Sequence, residues 1–293
     1  MIEVPPGFVQ STVDREGDAG RKWTSALPEI VADLVSRWEC VLDGAVMNGE
    51  VGVIVPVRRA GEALVLKVSF PHPGNVHEPD AFAAWGGCGA VLLHERDDAQ
   101  FAMLLERAGS SSLADLADGP AIMASAGELH LRLTVPAPAD LPRLAAQAED
   151  WEDSLLRDSA ELAHSLSARV VAAAVDTVRE LGRAQPEVLV HGDFHARNVL
   201  RASREPWLAV DPKGHVGDPA YDGGTMLKTC AALGDASPLR LVDIFASAAE
   251  LSRTRTRRWA QLHAVQTAFW GHRHGLGIPG LIAFAEDVSE VLT

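Results

Sequence analysis

The sequence predicts an α+β chain in two lobes, a five-stranded antiparallel sheet with one helix followed by a mainly helical half. Three observations predict it. Strand-like apolar runs follow one another closely between residues 41 and 105. One short helical segment, 78–85, stands between the third and fourth of them. Beyond Gly109-Ser110-Ser111-Ser112, helical periodicity takes over. The expected lobes are therefore 1–107 and 108–293.

Each element has a local reason. Residues 26–40 place Ile30, Leu34 and Trp38 on one helical face. Residues 41–47 form the first strand and lead into Asn48-Gly49, a hairpin signal because both turn positions then take positive φ. Residues 51–58 and 63–69 are the next two strands, joined at Ala60-Gly61. Residues 90–95 and 101–105 pair across Asp97-Asp98. Ser112 is the expected N-cap of a helix over 113–132. After a break at 136–142, residues 144–181 read as largely helical, with Leu162, Leu166, Val170, Ala174 and Val178 as one stripe. Apolar runs at 188–190 and 207–210 read as strands, and helices are expected near 221–233, 238–251, 256–274 and 279–292.

Composition narrows the class. A chain of 293 residues can build two sizeable cores. Its 47% hydrophobic and 23% charged content is that of an ordinary globular protein. No apolar stretch approaches the roughly 18 residues of a membrane span. Residues 1–20 carry Asp14, Glu16 and Asp18 and no basic-then-apolar leader, so a cytoplasmic location is expected. Cys40, Cys88 and Cys230 lie far apart and suit reduced thiols better than a disulfide frame or zinc site. The net charge of −14 argues against nucleic acid and anionic membrane as partners. It would favour a cationic small molecule, although solubility alone also accounts for it.

The chemistry concentrates in Val190-His191-Gly192-Asp193-Phe194-His195-Ala196-Arg197-Asn198-Val199-Leu200 and Trp207-Leu208-Ala209-Val210-Asp211. Phosphoryl transfer needs one carboxylate to take the proton of an attacking hydroxyl. It also needs an amide oxygen and a second carboxylate to hold magnesium on the phosphates. Asp193 is the candidate for the first role, and Asn198 and Asp211 for the second. His191 is expected to brace the loop, while His195 and Arg197 stand beside it without an assigned role. His191, Asp193 and His195 also alternate as a metal hydrolase's ligands would, which leaves Asn198 and Asp211 unexplained.

Lys67, inside an apolar strand, is expected to reach the α- and β-phosphates of ATP, held by Glu78. Gly44, Gly49 and Gly52 could form a loop over the phosphates, and adenine would bond to backbone around Glu106 and Arg107. No G-x-x-x-x-G-K-[ST] occurs, so a P-loop is not indicated. Lys213 could add positive charge near the phosphates, or simply face solvent.

The pattern H-G-D-x-x-x-x-N, followed by an apolar strand ending in Asp, resembles the aminoglycoside phosphotransferase superfamily. Val210-Asp211-Pro212-Lys213, Gly217-Asp218-Pro219-Ala220-Tyr221-Asp222, Val55-Pro56-Val57-Arg58-Arg59 and His77-Glu78-Pro79-Asp80 are similar to its streptomycin 6-phosphotransferase, or aminoglycoside/hydroxyurea kinase, branch. The resemblance implies a protein-kinase-like fold, ATP and Mg2+ as cofactors, and transfer of phosphate to a hydroxyl of streptomycin or a related aminocyclitol. It implies a structural role for Asp222, bonding back to the loop. An acidic pocket for the cationic acceptor would draw on Asp193, Asp218, Glu286 and Asp287, although the last two also fit a solvated helix face. A monomer or weak dimer is expected. A nucleotide-binding module without activity is the remaining alternative; retention of Lys67, Asp193, Asn198 and Asp211 together argues against it.

Overall fold

The computed structural model describes residues 2–162, 166–233, 236–275 and 280–293. The chain divides into two compact units, Met1–Gly87 with Val91–Ala108, and Cys88–Ala90 with Gly109–Thr293.

The first unit begins with α1, Pro6–Arg37, a long helix kinked at Gly17. Its first half was not legible as helix because its buried stripe is Phe8, Thr12, Gly20 and Thr24, mostly small or polar residues without apolar periodicity. The strands are β1 Val41–Leu42, β2 Met47–Asn48, β3 Gly52–Arg59 and β4 Glu62–Ser69. Helix α2, Glu78–Trp85, and strands β5 Leu93–Asp97 and β6 Ala102–Glu106 complete the unit. The sheet order is β1-β3-β4-β6-β5 with β2 also on β3, antiparallel throughout.

The expected first strand is therefore in two pieces, which raises the strand number to six. Pro56 of β3 lies opposite the gap and has no N–H to give an edge strand; its carbonyl still accepts the Asp43 N–H at 2.9 Å. The turn expectations also change places. Ala60 and Gly61 both take positive φ, 48° and 88°, and close the tight β3–β4 turn. Asn48-Gly49 does not, because the β2–β3 connection runs on to Val51 with the Gly49 N–H on the Gly52 carbonyl.

Alternation along β3 and β4 gives the sheet two faces. Leu64, Leu66 and Val68 pack with Val53, Val55 and Val57 into a core shared with Leu27, Val31 and Leu34 of α1. Lys67 therefore points to the opposite face, where α2 supplies Glu78.

In the second unit, α3 spans Gly119–Leu133, α4 Ala148–Glu161 and α5 Ala168–Thr177. The N-cap of α3 is Asp118, whose carboxylate accepts the Ala121 N–H at 3.0 Å. Ser112 instead opens a separate short turn over Leu113–Asp115. The stripe read through 162–178 crosses a break: Leu162 caps α4, and only Val170, Ala174 and Val178 continue through α5 and its last turn. Those three pack on Trp259, Leu262, Val265 and Phe269.

Four short strands follow: β7 Val188–Val190, β8 Val199–Arg201, β9 Trp207–Ala209 and β10 His215–Gly217. They pair antiparallel as β7 with β10 and β8 with β9. Helices α6 Tyr221–Leu227, α7 Pro238–Ala248, α8 Arg253–His274 and α9 Leu281–Val291 close the chain, with Pro279 of the expected last helix outside the described residues. No helix among the described residues is long and apolar enough to cross a membrane.

Candidate active site

Within the first unit, Lys67 and Glu78 meet at 2.5 Å, with Lys67 8% and Glu78 1% exposed. An ammonium buried to that degree needs a carboxylate partner. Glu78 is also the first residue of α2, where a negative charge is favoured by the helix dipole. Glu106 and Arg107 are taken up by the unit's own framework. Glu106 accepts the Leu92 N–H through its carboxylate and gives its own N–H to the Leu92 carbonyl. Arg107 donates to the Leu64 and Val57 carbonyls and pairs with Asp43. Of the three glycines expected over the phosphates, Gly49 and Gly52 close the β2–β3 hairpin, and Gly44 lies in the gap between β1 and β2.

In the second unit, the loop 191–198 joins β7 to β8, and Asp211 lies between β9 and β10. The two strand pairs thus bring distant stretches of sequence together. The loop is held from inside. Asp222, fully buried at the start of α6, accepts the His191 N–H through Oδ2 and the Gly192 N–H through Oδ1, both at 3.0 Å. His130 Nε2 of α3 lies 3.3 Å from the same Oδ2. Burial pushes the Asp222 carboxyl up, but the His130 contact, the nearby imidazoles and the Gly192 N–H more than offset it and hold it below the usual carboxylate range.

His191 accepts the Asp193 N–H at Nδ1, 3.3 Å, so its Nε2 carries the proton and donates to the Val210 carbonyl at 3.0 Å. Burial keeps this imidazole below its ordinary pKa. The Asn198 side-chain amide donates to the Asp193 carbonyl at 3.0 Å, which leaves its oxygen as the group it can offer to a cation. Thr229 accepts the Ala196 N–H at 3.1 Å.

Asp193 and Asp211 keep partly exposed carboxylates, 34% and 31%. Lys213 stands between them, its Nζ 4.0 Å from Asp193 Oδ2 and 3.5 Å from Asp211 Oδ2. His195 Nε2 is 3.8 Å from Asp193 Oδ1, and burial lowers its pKa, with Asp193 pulling the other way. Arg197 is exposed. Asp211 takes φ 59°, a left-handed conformation that aspartate tolerates better than most residues and that is enriched at functional sites.

The remaining acidic candidates are placed differently. Asp218 is 3% exposed, and its carboxylate takes Arg255 Nε at 2.9 Å, Trp259 Nε1 at 2.7 Å and the Ala220 N–H at 3.0 Å. It ties α8 to the start of α6 and has no face left for a substrate. Glu286 pairs with His272 at 2.7 Å, and Asp287 is exposed on α9. No contact among the described residues joins either of them to Asp193.

The donor set fits magnesium. Carboxylate and amide oxygens are its preferred ligands, and it is commonly held by one or two protein carboxylates with substrate phosphates completing the octahedron. The alternating hydrolase set does not assemble: both His191 nitrogens are engaged, and no three His, Cys, Asp or Glu among the described residues converge as a metal-binding group. Sequence reasoning missed His130 and Thr229. His130 lies on the apolar stripe of α3 beside Ala126, Leu129 and Leu133, so a buried histidine there was the available signal; Thr229 gave none.

Comparison with known proteins gives the same direction. The aminoglycoside/hydroxyurea antibiotic resistance kinase family matches residues 37–275. A streptomycin 6-kinase of Streptomyces griseus is 36% identical over 99% of this chain and 98% of its own. A hydroxyurea phosphotransferase of Kitasatospora aureofaciens is 31% identical over 92% of this chain and 80% of its own. Among solved structures, a thermostable aminoglycoside phosphotransferase crystallised with ADP and hygromycin B superimposes with TM-score 0.54 at 14% identity, over 89% of this chain and 96% of that one. That likeness carries the protein-kinase-like fold. The chain belongs to the aminoglycoside/hydroxyurea antibiotic resistance kinase family.

Proposed function

We propose that this chain transfers the γ-phosphoryl group of ATP to a hydroxyl of streptomycin or a closely related aminocyclitol, inactivating the antibiotic. The observation that carries the reading is the joining of Asp193, Asn198 and Asp211 around one loop, through the Asn198 amide on the Asp193 carbonyl and Lys213 between the two carboxylates. The relatives' substrates favour an aminoglycoside acceptor, and the net charge of −14 suits a cationic one.

In this reading Asp193 accepts the proton of the acceptor hydroxyl as its oxygen bonds to phosphorus. The bond to the bridging oxygen breaks with its electron pair going to ADP. Asn198 and Asp211 would hold magnesium, which would supply neutralisation of charge on the phosphates. Lys67, kept in place by Glu78, binds the α- and β-phosphates. His191 and Asp222 fix the loop that carries Asp193. Residues 1–107 then serve nucleotide binding and 108–293 catalysis and acceptor binding. The protein works as a monomer or weak dimer in the cytoplasm, where ATP is available.

The test is ADP release by the purified protein with ATP and Mg2+ across streptomycin, other aminoglycosides, hydroxyurea and simple amino-sugars, with product mass measured. Streptomycin gaining one phosphoryl group supports the reading. Phosphorylation of a different acceptor alone would refute the substrate assignment, and no turnover with any acceptor would refute the activity.

A further inference from the structure

Lys213 is a charged residue of this site to which the reaction outlined above gives no task. It is not a solvent-facing lysine that happens to lie nearby. Its backbone N–H donates to the His191 carbonyl at 2.7 Å, so its main chain is fixed to the start of the loop carrying Asp193. Its stem passes close over Gly192, where an added Cβ would lie 3.2 Å from Lys213 Cβ, and Gly192 holds φ +81°. Its side chain is 25% exposed, and its ammonium lies within 4.0 Å of both reactive carboxylates.

Two carboxylates that face one space repel each other, and a cation between them removes that repulsion. A magnesium ion on Asp211 and Asn198 would compete with the ammonium for Asp211, since like charges do not share a carboxylate cheaply. The ammonium then keeps to the Asp193 side, where an acceptor oxygen and the transferred group meet. In a loose transition state the charge lies on the three equatorial oxygens of that group. A flexible lysine with three donors suits them.

We propose that Lys213 has two successive tasks. In the free enzyme it is the counter-ion that holds Asp193 and Asp211 in place. During transfer it contacts the phosphoryl group and stabilises its charge, taking no proton. The second task rests on the phosphotransferase reading; the first does not.

Lys213→Met keeps the stem and removes the charge, and Lys213→Arg keeps the charge. Melting temperatures in EDTA and in Mg2+ read the first task without turnover. The Met variant should melt below wild type in EDTA, and Mg2+ should raise its melting temperature by more than it raises that of wild type. Equal Mg2+ shifts in the two proteins would overturn the counter-ion assignment. Turnover reads the second task. Loss of one preorganised donor to a transition-state oxyanion lowers kcat by roughly 10²-fold. The Met variant should show a drop of that order with Mg·ADP affinity changed by less than about threefold, and the Arg variant should recover part of it. A Met variant within about twofold of wild-type kcat, or one that loses ADP binding in step with activity, would overturn the phosphoryl contact. A wild type inert towards every acceptor would count against the phosphotransferase reading and the phosphoryl contact together, while the melting comparison still decides the counter-ion.

Discussion

Replacing Asp222 by Asn isolates what holds the loop. The side chain keeps its size, so packing at the start of α6 is nearly unchanged. The charge goes, and one oxygen becomes an NH2 that cannot accept. Asp222 now accepts two backbone N–H groups at 3.0 Å each and faces His130 at 3.3 Å. An asparagine can keep one of those N–H bonds in neutral form and must leave the other donor facing its own NH2. A buried donor left unsatisfied costs about 1–3 kcal/mol. Weakening the retained bond from charge-assisted to neutral costs about 1 kcal/mol more. Relief of the buried charge's desolvation returns part of this. The net expectation is about 2–3 kcal/mol, a large share of the 5–15 kcal/mol typical of a domain. Urea unfolding followed by tryptophan fluorescence would measure it, and kcat should fall because His191 and Gly192 lead directly into Asp193. A variant within about 0.5 kcal/mol of wild type would refute the view that Asp222 anchors the loop.

Lys67→Met removes the ammonium that faces the buried Glu78 carboxylate. It should cost about 3 kcal/mol, with Lys67→Met/Glu78→Gln recovering at least half by removing that charge; denaturant titration of both variants checks this, and no recovery would mean the charge was not the cause. His263 is buried and its pKa is driven down to about 3, chiefly by burial and further by the Lys228 cation. Between about pH 6.5 and 3 the unfolded chain binds a proton at this site that the folded chain does not. Its contribution is intact above about pH 6.5 and is lost at about 1.4 kcal/mol per pH unit below it. His263→Asn should flatten the unfolding free energy against pH by that slope between pH 6 and 5; an unchanged slope would remove His263 from the titration.

The placement of much of the candidate site was legible in sequence because those residues lie close along the chain. Asp193 and Asn198 share one loop, and Asp211 ends the next apolar strand pair, so spacing alone carried them. Lys67 was legible because an apolar strand gives a lysine few reasons to be there. Asp218 was misread for the opposite reason. Its motif position resembles a site residue, but what decides its role is Arg255 and Trp259, far along the chain on α8. In the first unit the alternation of β3 and β4 reported the sheet faithfully, while Pro56 split the neighbouring strand through a missing N–H that no periodicity reveals. The helical stripe at 162–178 was regular in residue type, yet Leu162 is the C-cap of α4 and α5 starts anew at Ala168 behind an extended Ser167, a boundary that a spacing of four does not reveal.

The most direct test of the central claim compares wild type and Asp193→Asn in transfer of labelled γ-phosphoryl from ATP to streptomycin, with Mg·ADP binding measured on both. If Asp193 takes the hydroxyl proton, the variant should lose roughly 10³-fold or more in turnover with ADP affinity nearly unchanged. Turnover that survives the substitution would contradict the account and move the chemistry away from this loop.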